Sequence, residues 1–258
     1  MRPAATDVAV SFAIITSGTE PERVAACLQS VRALGLPHYE VLVVGGTSVT
    51  WGGDDVRHVP FVDEPGRPGW ITRKKNMATE AARHEFVVYF HDYHLFDAGW
   101  YGALCAAGTD WDIAMHRVLC IDGTRFFGWQ TWDHPAVPRY FNVPYERHDL
   151  LPFMYLSGGY WMARRSVMLQ APLDEKLRWG EAEDVEWSLR VRDRFRIRMN
   201  PSCVVRHNKP HVALAFCQRM AGMEPMFESL HARALQMLAA VQARPQDPVP
   251  TLVLEAAP

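Results

Sequence analysis

Continuous apolar runs alternate with amphipathic segments of helical length in the first third of the chain. Residues 8–15 are apolar and rich in β-branched side chains, which is typical of a parallel strand that is buried on both faces. Apolar residues then recur with helical spacing, and residues 39–44 form a second apolar run that ends in Gly45-Gly46. A strand, a helix and a strand in this order predict a parallel βαβ unit with a right-handed crossover.

Local signals set the limits of the first helix. Thr19 stands three residues before Glu22, which is the spacing of a capping box, and Pro21 suits the first turn. Gly35 and Pro37 are expected to end the helix. We therefore predict a helix that is capped by Thr19 and ends just before Gly35.

The rest of the chain continues this alternation of strands and helices. The predicted elements are a polar helix over about 71–83, a strand over 86–90, a helix over about 99–107, a strand near a sheet edge over 113–120, strand-like residues 155–163, helices over about 165–170 and 181–192, and short strands over 195–199 and 203–206. Residues 122–153 have little periodicity but many aromatic and proline residues, which is typical of a long functional loop. The pattern predicts an α/β fold with a mostly parallel central sheet flanked by helices.

One domain is expected over residues 1–210. Residues 211–258 are predicted to be a C-terminal extension packed on the same domain. It is helical over about 213–243 and ends in a proline-containing tail.

Composition narrows the class of protein. The 258 residues include 27 basic and 29 acidic side chains, and this near-neutral balance argues against a general nucleic-acid binder. The five cysteines form no CxxC pair, which favours reduced thiols and a cytoplasmic location. No apolar run approaches the roughly 18 residues that span a membrane, so we expect no transmembrane segment. Peripheral association with the inner face of a membrane and a homo-oligomeric state stay open.

Candidate chemistry falls where the predicted parallel strands end, because ligands of open parallel sheets bind beyond the carboxyl ends of the strands. The chain has no G-x-G-x-x-G and no Walker A sequence, so dinucleotide and P-loop sites lack their signatures. The apolar strand 86–90 runs directly into His91-Asp92-Tyr93-His94. Asp92 is placed to hold a hard cation over a diphosphate, or simply to stabilise the following turn. His91 and His94 leave a zinc site as a further alternative.

An acidic segment follows at the start of a predicted helix. Glu181, Glu183, Asp184 and Glu186 stand within six residues. Acidic residues commonly favour the first turn of a helix through its dipole, but four exceed what that effect requires. One of these carboxylates, facing a cleft, is expected to act as a general base.

Two further segments carry basic side chains, one near the start of the predicted helix 71–83 and one at the end of the last predicted strand. Arg73, Lys74, Lys75 and Asn76 suit contact with phosphate groups, with a solvated polar face as the alternative. His207 ends the last predicted strand, and a single histidine is more often structural than a metal ligand.

Read in order, these segments resemble the GT-A glycosyltransferases, in particular the family 2-like group. The matching segments are residues 12–17 (FAIITS), 73–78 (RKKNMA), 88–93 (VYFHDY), 157–161 (SGGYW), and 173–175 (LDE) with 183–184 (ED). The resemblance covers about residues 8–210, and it is the order and spacing of the segments that make it specific.

The resemblance implies a nucleotide-diphosphate sugar donor, a divalent cation such as Mn²⁺ or Mg²⁺, and inversion at the anomeric carbon. By position, Asp92 would bind the metal, and His207 and His94 would be further ligands. Asp184 would be the base that takes the proton of the acceptor hydroxyl, with Glu183 as the alternative. The other implied contacts are Thr16, Ser17, Arg73, Lys74 and Asn76 along the nucleotide, and Gly158, Gly159, Tyr160 and Trp161 near the sugar and acceptor.

Two departures from the family pattern bear on function. The second acidic residue of the usual DxD motif is replaced, whether Tyr93 or His94 is aligned with it. Gly45-Gly46 also stands where relatives carry an acidic residue that contacts the nucleobase of the donor. Uridine is the usual nucleoside of such donors, but this change leaves the nucleobase specificity open. The alternative is a GT-A-like module that binds a nucleotide sugar, or takes part in assembly, without turnover. A sugar nucleotidyltransferase would need a Gly-rich, Arg-containing loop that residues 16–19 do not supply.

The acceptor is expected to be a saccharide, a lipid-linked sugar or a peptide, with cell-surface polysaccharide as the default for bacterial relatives. Nine tryptophans are present, and most stand in or beside the motifs. Because aromatic rings stack on the C–H faces of sugars, these tryptophans predict an acceptor surface, while core packing is expected for about half of them. The tryptophans concerned are Trp70, Trp129, Trp132, Trp161, Trp179 and Trp187.

Overall fold

The computed structural model describes residues 7–46, 51–64, 69–135 and 142–209. The strands are β1 (Val10–Ile15), β2 (Tyr39–Val44), β3 (Val56–Val59), β4 (Phe86–His91), β5 (His94–Phe96), β6 (Ile113–Cys120), β7 (Gln130–Thr131), β8 (Met154–Tyr155), β9 (Tyr160–Arg164) and β10 (Ile197–His207). The helices are α1 (Pro21–Arg32), α2 (Ile71–Ala81), α3 (Trp100–Ala107), α4 (Arg165–Gln170) and α5 (Glu183–Val191), with a 3₁₀ helix over His148–Phe153. The predicted C-terminal helix and tail lie outside the described residues.

Eight strands form one sheet in the order β3-β2-β1-β4-β9-β6-β10-β5. β1 pairs in parallel with both β2 and β4, which confirms the predicted βαβ unit. β9 runs antiparallel between β4 and β6, and β5 runs antiparallel to β10. This is the predicted α/β architecture, with a mostly parallel sheet flanked by helices.

Both faces of the sheet are covered, which explains why its central strands are continuous apolar runs. One core contains Val24 and Leu28 of α1 together with Trp100 of α3. The opposite core contains Ala78 of α2 and Trp187 of α5. Because β1, β2, β3 and β4 run in the same direction, their polar carboxyl ends lie together, outside the two cores.

Three local predictions are corrected. Glu20, not Thr19, is the N-cap of α1, and no side chain caps the helix; Thr19 Oγ1 instead lies 2.7 Å from Ser17 Oγ. β6 is not near an edge, because β9 and β10 pair with it on either side.

The two short strands predicted after α5 are one strand, β10, with a register shift between Asn200 and Val204. Pro201 lies within the shift, and a proline cannot donate the ladder hydrogen bond at its position. The irregular sequence thus marks a bulge rather than a loop.

The segment 122–153 is only partly irregular. After β6 the chain turns back, and the N–H of Phe126 donates to the Val118 carbonyl at 2.9 Å. The short strands β7 and β8 then pair with each other, and the 3₁₀ helix leads into β8. None of the described helices is long and apolar enough to cross a membrane.

Candidate active site

A cleft of about 320 Å³ opens where β4 ends and the antiparallel strand β9 begins. Its walls combine the end of β4, the glycine pair before β9, and the first turn of α5. The lining residues are Ile71, His91, Tyr93, Tyr155, Ser157, Gly158, Gly159, Trp179, Gly180, Ala182, Glu183, Asp184 and Val185. The cleft therefore joins three segments that are far apart in the sequence, as expected for a ligand site at the carboxyl edge of a parallel sheet.

Asp184 is held on the wall of this cleft by backbone donors. Its Oδ2 accepts a hydrogen bond from the Gly158 N–H at 2.8 Å, and its Oδ1 accepts one from the Val185 N–H at 2.9 Å. These two bonds fix the direction of the carboxylate. The residue expected to be a base therefore lies directly against the glycine pair expected to border the sugar.

Glu183 precedes Asp184 but is more enclosed, with 7% of its surface exposed. Burial raises the pKa of this carboxyl, while the nearby Lys75 cation lowers it. Ala182, the N-cap of α5, has φ 57° and ψ 39°, the left-handed conformation that residues other than glycine rarely adopt. Such strain is characteristic of functional sites, and here it sets the direction in which both carboxylates leave the loop.

Lys75 supports the glycine pair from inside the protein. Its side chain is completely buried, its Nζ donates to the Gly158 carbonyl at 2.8 Å, and the ammonium lies 4.3 Å from the centre of the Trp161 ring. Burial lowers the pKa of Lys75 to about 8, and the charges of Glu183 and Asp184 oppose this shift. Sequence reasoning placed Lys75 only in a general basic run. Its position four residues after Ile71 and three before Ala78, both buried, is the signal that it faces inward.

The other polar residues of α2 have partners within the protein, and their expected contact with the nucleotide stays a prediction. Lys74 Nζ donates to the Thr16 carbonyl at 3.0 Å and to Asp63 Oδ2 at 3.1 Å, and only 2% of its surface is exposed. Asn76 exchanges hydrogen bonds with both backbone groups of Leu173. These side chains hold together the loops around the cleft.

Arg73 keeps more freedom. It is ion-paired with Glu175 at 3.0 Å, and about a third of its side chain is exposed. Of the cations predicted along the nucleotide, it is the one that solvent reaches.

The ends of β1 and β4 are tied together by Thr16 and Asp92. Thr16 Oγ1 donates to Asp92 Oδ2 at 2.6 Å, and both residues are buried. Burial raises the pKa of Asp92, whereas the Thr16 hydroxyl and the charges of Arg23 and Lys209 lower it. Ser17 is exposed beside Thr16, so these strand ends are adjacent, as predicted.

His94 and His207 face each other across β5 and β10, with ring centres 5.4 Å apart. Burial lowers the pKa of both imidazoles, that of His207 to about 4. The buried Nδ1 atom of each has no hydrogen-bond partner among the described residues. The Tyr93 ring packs against both, and Lys209 Nζ lies 4.1 Å from the centre of that ring. Lys209 belongs to the segment 205–209 around His207, and the sequence pattern assigns it no role of its own.

The three predicted metal ligands do not fit a single divalent site. The two imidazoles pair with each other across the strands, whereas Asp92 is bonded to Thr16 and feels chiefly Arg23 and Lys209. Over the described ranges, no three His, Cys, Asp or Glu side chains are grouped so as to hold a metal ion. The metal-binding role of Asp92 stays a prediction.

The predicted acceptor residues divide between the cleft and the core. Gly158 and Gly159 line the cleft. Tyr160 and Trp161 do not, since they are 2% and 0% exposed and point into opposite cores. The Tyr160 hydroxyl lies 2.5 Å from His116 Nδ1, and the Trp161 ring stacks on Trp187. Neither side chain is accessible to an acceptor.

Among the tryptophans, all of which lie in the described ranges, Trp179 is the one that is largely exposed, and Trp51, Trp70 and Trp132 are half-buried. Trp179 is 71% exposed on the cleft wall, whereas Trp129, Trp161 and Trp187 are fully buried. No ring contact or hydrogen bond joins Trp179 to the rest of the described chain. The expected aromatic surface is thus reduced, at the cleft, to one exposed indole.

The chain has a GT-A-like fold, and solved structures of similar architecture support this assignment. S. aureus TarS 1–349 is 14% identical, with a TM-score of 0.57, and the match covers 90% of this chain and 72% of that chain. The same protein in complex with UDP-GlcNAc is 15% identical, with a TM-score of 0.54, and the match covers 77% and 58% of the two chains.

GalNAc-T7 with UDP, GalNAc and Mn²⁺ is 15% identical, with a TM-score of 0.52. That match covers 78% of this chain and 44% of that chain, so this chain spans less than half of it. No protein-family model and no curated protein matches the sequence. At these identities the likeness concerns the fold.

Proposed function

We propose that the chain is an inverting glycosyltransferase that moves a sugar from a nucleotide-diphosphate donor, a UDP-sugar, to a hydroxyl group of a saccharide, lipid-linked or peptide acceptor. The observation that carries this proposal is the position of Asp184 on the cleft wall against Gly158. Similar folds solved with UDP and UDP-GlcNAc support the choice of donor. Polysaccharide biosynthesis is the process we associate with such a reaction.

Asp184 is the proposed general base. One carboxylate oxygen takes the proton of the acceptor hydroxyl as the hydroxyl oxygen forms a bond to the anomeric carbon. The bond from that carbon to the diphosphate oxygen breaks on the opposite face, and the diphosphate leaves with the bonding electrons. The two backbone donors on Asp184 hold the carboxylate in one direction, which a base in direct contact with its substrate requires. Glu183 is the alternative base.

The leaving diphosphate needs positive charge near the end of β4. A bound Mn²⁺ or Mg²⁺, which the resemblance implies, would supply such charge. The chain itself supplies Lys209 above Tyr93, and Arg23, whose charge acts on Asp92. We propose that these two cations contribute to donor binding, and that Thr16, Ser17 and Arg73 border the nucleotide.

The decisive experiment is a screen for nucleotide release. The full chain is incubated with UDP-sugars and other nucleotide sugars in Mn²⁺, in Mg²⁺ or in EDTA, and free nucleotide is measured. We expect release with at least one UDP-sugar and its loss in Asp184→Asn. Because the predicted metal ligands do not form one donor set, UDP affinity in EDTA should stay within a few-fold of its value in Mn²⁺. Failure of every donor to release nucleotide would refute the transferase.

A binding or assembly module without turnover is the second candidate. The observation that favours it is the altered acidic motif, in which Asp92 is bonded to Thr16 and does not share a donor set with His94 and His207. A module would bind UDP, seen as a rise in unfolding temperature, and release none from any donor. An enzyme would show both binding and release.

A further inference from the structure

Two arginines share one aromatic ring on the side of the sheet that carries α5. The guanidinium carbon of Arg125 lies 4.0 Å from the centre of the Tyr145 ring, and that of Arg117 lies 5.5 Å from the same point. Arg125 also donates to the carbonyls of Gly128 and Trp129 at 3.1 and 3.3 Å. Arg117 makes no hydrogen bond to any described residue.

These cations have no counter-ion in the described part of the chain. Both side chains are half-buried, and the Nε atom of each is buried without a hydrogen-bond partner. Burial lowers the pKa of Arg125, and the Arg117 charge lowers it further. The neighbouring Glu146 acts on Arg125 through its charge but forms no ion pair with either arginine. Partly desolvated like charges are costly unless an anion neutralises them.

A series of contacts connects the pair to the wall of the cleft. Arg125 is opposite Leu119 in the turn that follows β6, and its side chain holds the Trp129 carbonyl. Gln130 comes next, and its side-chain oxygen accepts a hydrogen bond from the Tyr155 hydroxyl at 2.6 Å. Tyr155 lines the cleft. The arginine pair is therefore linked to the cleft wall through Trp129, Gln130 and Tyr155.

We infer that Arg117, Arg125 and Tyr145 form a binding site for an oxyanion, a phosphate or carboxylate group, carried by the acceptor. Two guanidinium groups with free N–H donors suit such a group, because each can bind two oxygens at once. The acceptor would then be an anionic molecule that extends from the arginine pair to the cleft. The assignment of the anion to the acceptor rests on the proposed function, whereas the anion site itself rests on the arginines alone.

The site is tested with inorganic phosphate and with acetate, which represent the two sources of the charge. Each is titrated at constant ionic strength with UDP saturating, so that a donor site is already filled, and the unfolding temperature is followed, since binding to the folded state raises it. We expect one or both anions to stabilise the wild type. The Arg117→Gln variant should bind the anion about tenfold more weakly. Arg32→Gln, which removes an arginine paired with Asp55, is the control and should leave the effect unchanged.

A charge reversal gives a second readout. Arg117→Glu should form an ion pair with Arg125, raise the unfolding temperature without any anion, and abolish the response to phosphate and acetate. An anion response in Arg117→Gln and Arg117→Glu equal to that of the wild type would overturn the site. The anion that raises the unfolding temperature at the lower concentration, phosphate or acetate, shows which source, phosphate or carboxylate, the site favours.

The acceptor assignment is separated from the enzyme itself by a second comparison. In acceptor assays with the best donor, matched neutral and anionic acceptors are compared, and Arg117→Gln should raise KM for the anionic acceptor alone and leave donor hydrolysis unchanged. Equal KM values in the variant and the wild type would overturn the assignment. If no donor releases nucleotide while the response to phosphate still depends on Arg117, the proposed enzyme activity is refuted and the anion site is supported.

Discussion

The N–H of Gly158 donates a hydrogen bond to Asp184 Oδ2 at 2.8 Å, which joins the loop before β9 directly to the first turn of α5. A Cβ atom at position 158 would lie 3.0 Å from Asp184 Cβ and 3.1 Å from Oδ2. Real Cβ contacts are seldom so short, and the atoms that it meets belong to a carboxylate held at both oxygens. The absence of a side chain at position 158 is therefore part of how Asp184 is positioned.

Gly158→Ala should displace Asp184 and lower kcat of transfer by about 100-fold, the cost of a misplacement near 1 Å. UDP binding should change little. The measurement is the rate of sugar transfer beside UDP affinity. Gly102→Ala, in α3 with no atom within 4 Å of the new Cβ, is the control and should be neutral. Near-normal kcat in Gly158→Ala would show that Asp184 is not held where the chemistry needs it.

Asp184→Asn should lower transfer by about 10²- to 10⁴-fold while leaving nucleotide affinity close to normal, because it removes a base and almost no volume. Steady-state kinetics and UDP titration measure the two effects. Glu181→Gln, an exposed acid of the same segment, is the matched control. If Glu183→Gln abolishes transfer and Asp184→Asn does not, the base is Glu183.

Lys75→Met should change how stability depends on pH. Lys75 in the folded protein has a pKa of about 8, below its usual value of 10.5, so between these values the unfolded chain binds more protons and wild-type stability rises with pH. The variant lacks this gain, which approaches roughly 3 kcal/mol across the window. Denaturant unfolding of both proteins measures the difference. The difference in unfolding free energy between the two proteins should be constant below about pH 7 and should change between the two pKa values, and a constant difference throughout would contradict the lowered pKa.

Ala182→Gly should stabilise the protein by about 1 kcal/mol, because glycine adopts the left-handed conformation of this residue without steric cost. Ala25→Gly, on the exposed face of α1, should instead destabilise it by about 1 kcal/mol. Urea unfolding compares the two variants. An equal loss of stability in Ala182→Gly and Ala25→Gly would contradict a strained backbone at Ala182.

Trp179→Ala should raise KM for a sugar acceptor about fivefold, the equivalent of roughly 1 kcal/mol of aromatic contact, and should leave donor affinity unchanged. Leu169→Ala removes an exposed apolar side chain of α4 and is the control. Quenching of the exposed indole by the acceptor gives an independent readout. An unchanged KM for every acceptor would place the acceptor away from this wall.

The sheet was predictable because its central strands are buried on both faces and therefore appear as uninterrupted apolar runs. The predicted run 39–44 is β2 to the residue, and the predicted helix 165–170 is α4. The position of β6 was not predictable in this way. Its neighbours are β9 and β10, strands more than forty residues further along, and nothing local to residues 113–120 identifies them.

The candidate site was only partly predictable for a related reason. Asp184, Glu183 and the glycine pair were identified by type and order. The polar side chains of α2 are buried because their hydrogen-bond partners lie far away in the sequence. The Lys74 ammonium donates to Thr16, 58 residues away, and the Asn76 amide donates to Leu173, 97 residues away. A polar run that would be solvated in isolation is thereby used to hold loops together.

The antiparallel strand β9 has a consequence for how the chain acquires its structure. During synthesis, β1 to β4 emerge well before residues 160–164, yet β4 cannot acquire its second neighbour, nor can the two halves of the sheet join, until β9 is available. Such long-range pairing is slow and leaves a strand edge open in the meantime. Gly158 and Gly159 directly precede β9, and the first turn of α5, which supplies the carboxylates of the cleft, follows it. A nascent chain that has not yet joined the two halves of its sheet therefore has no cleft.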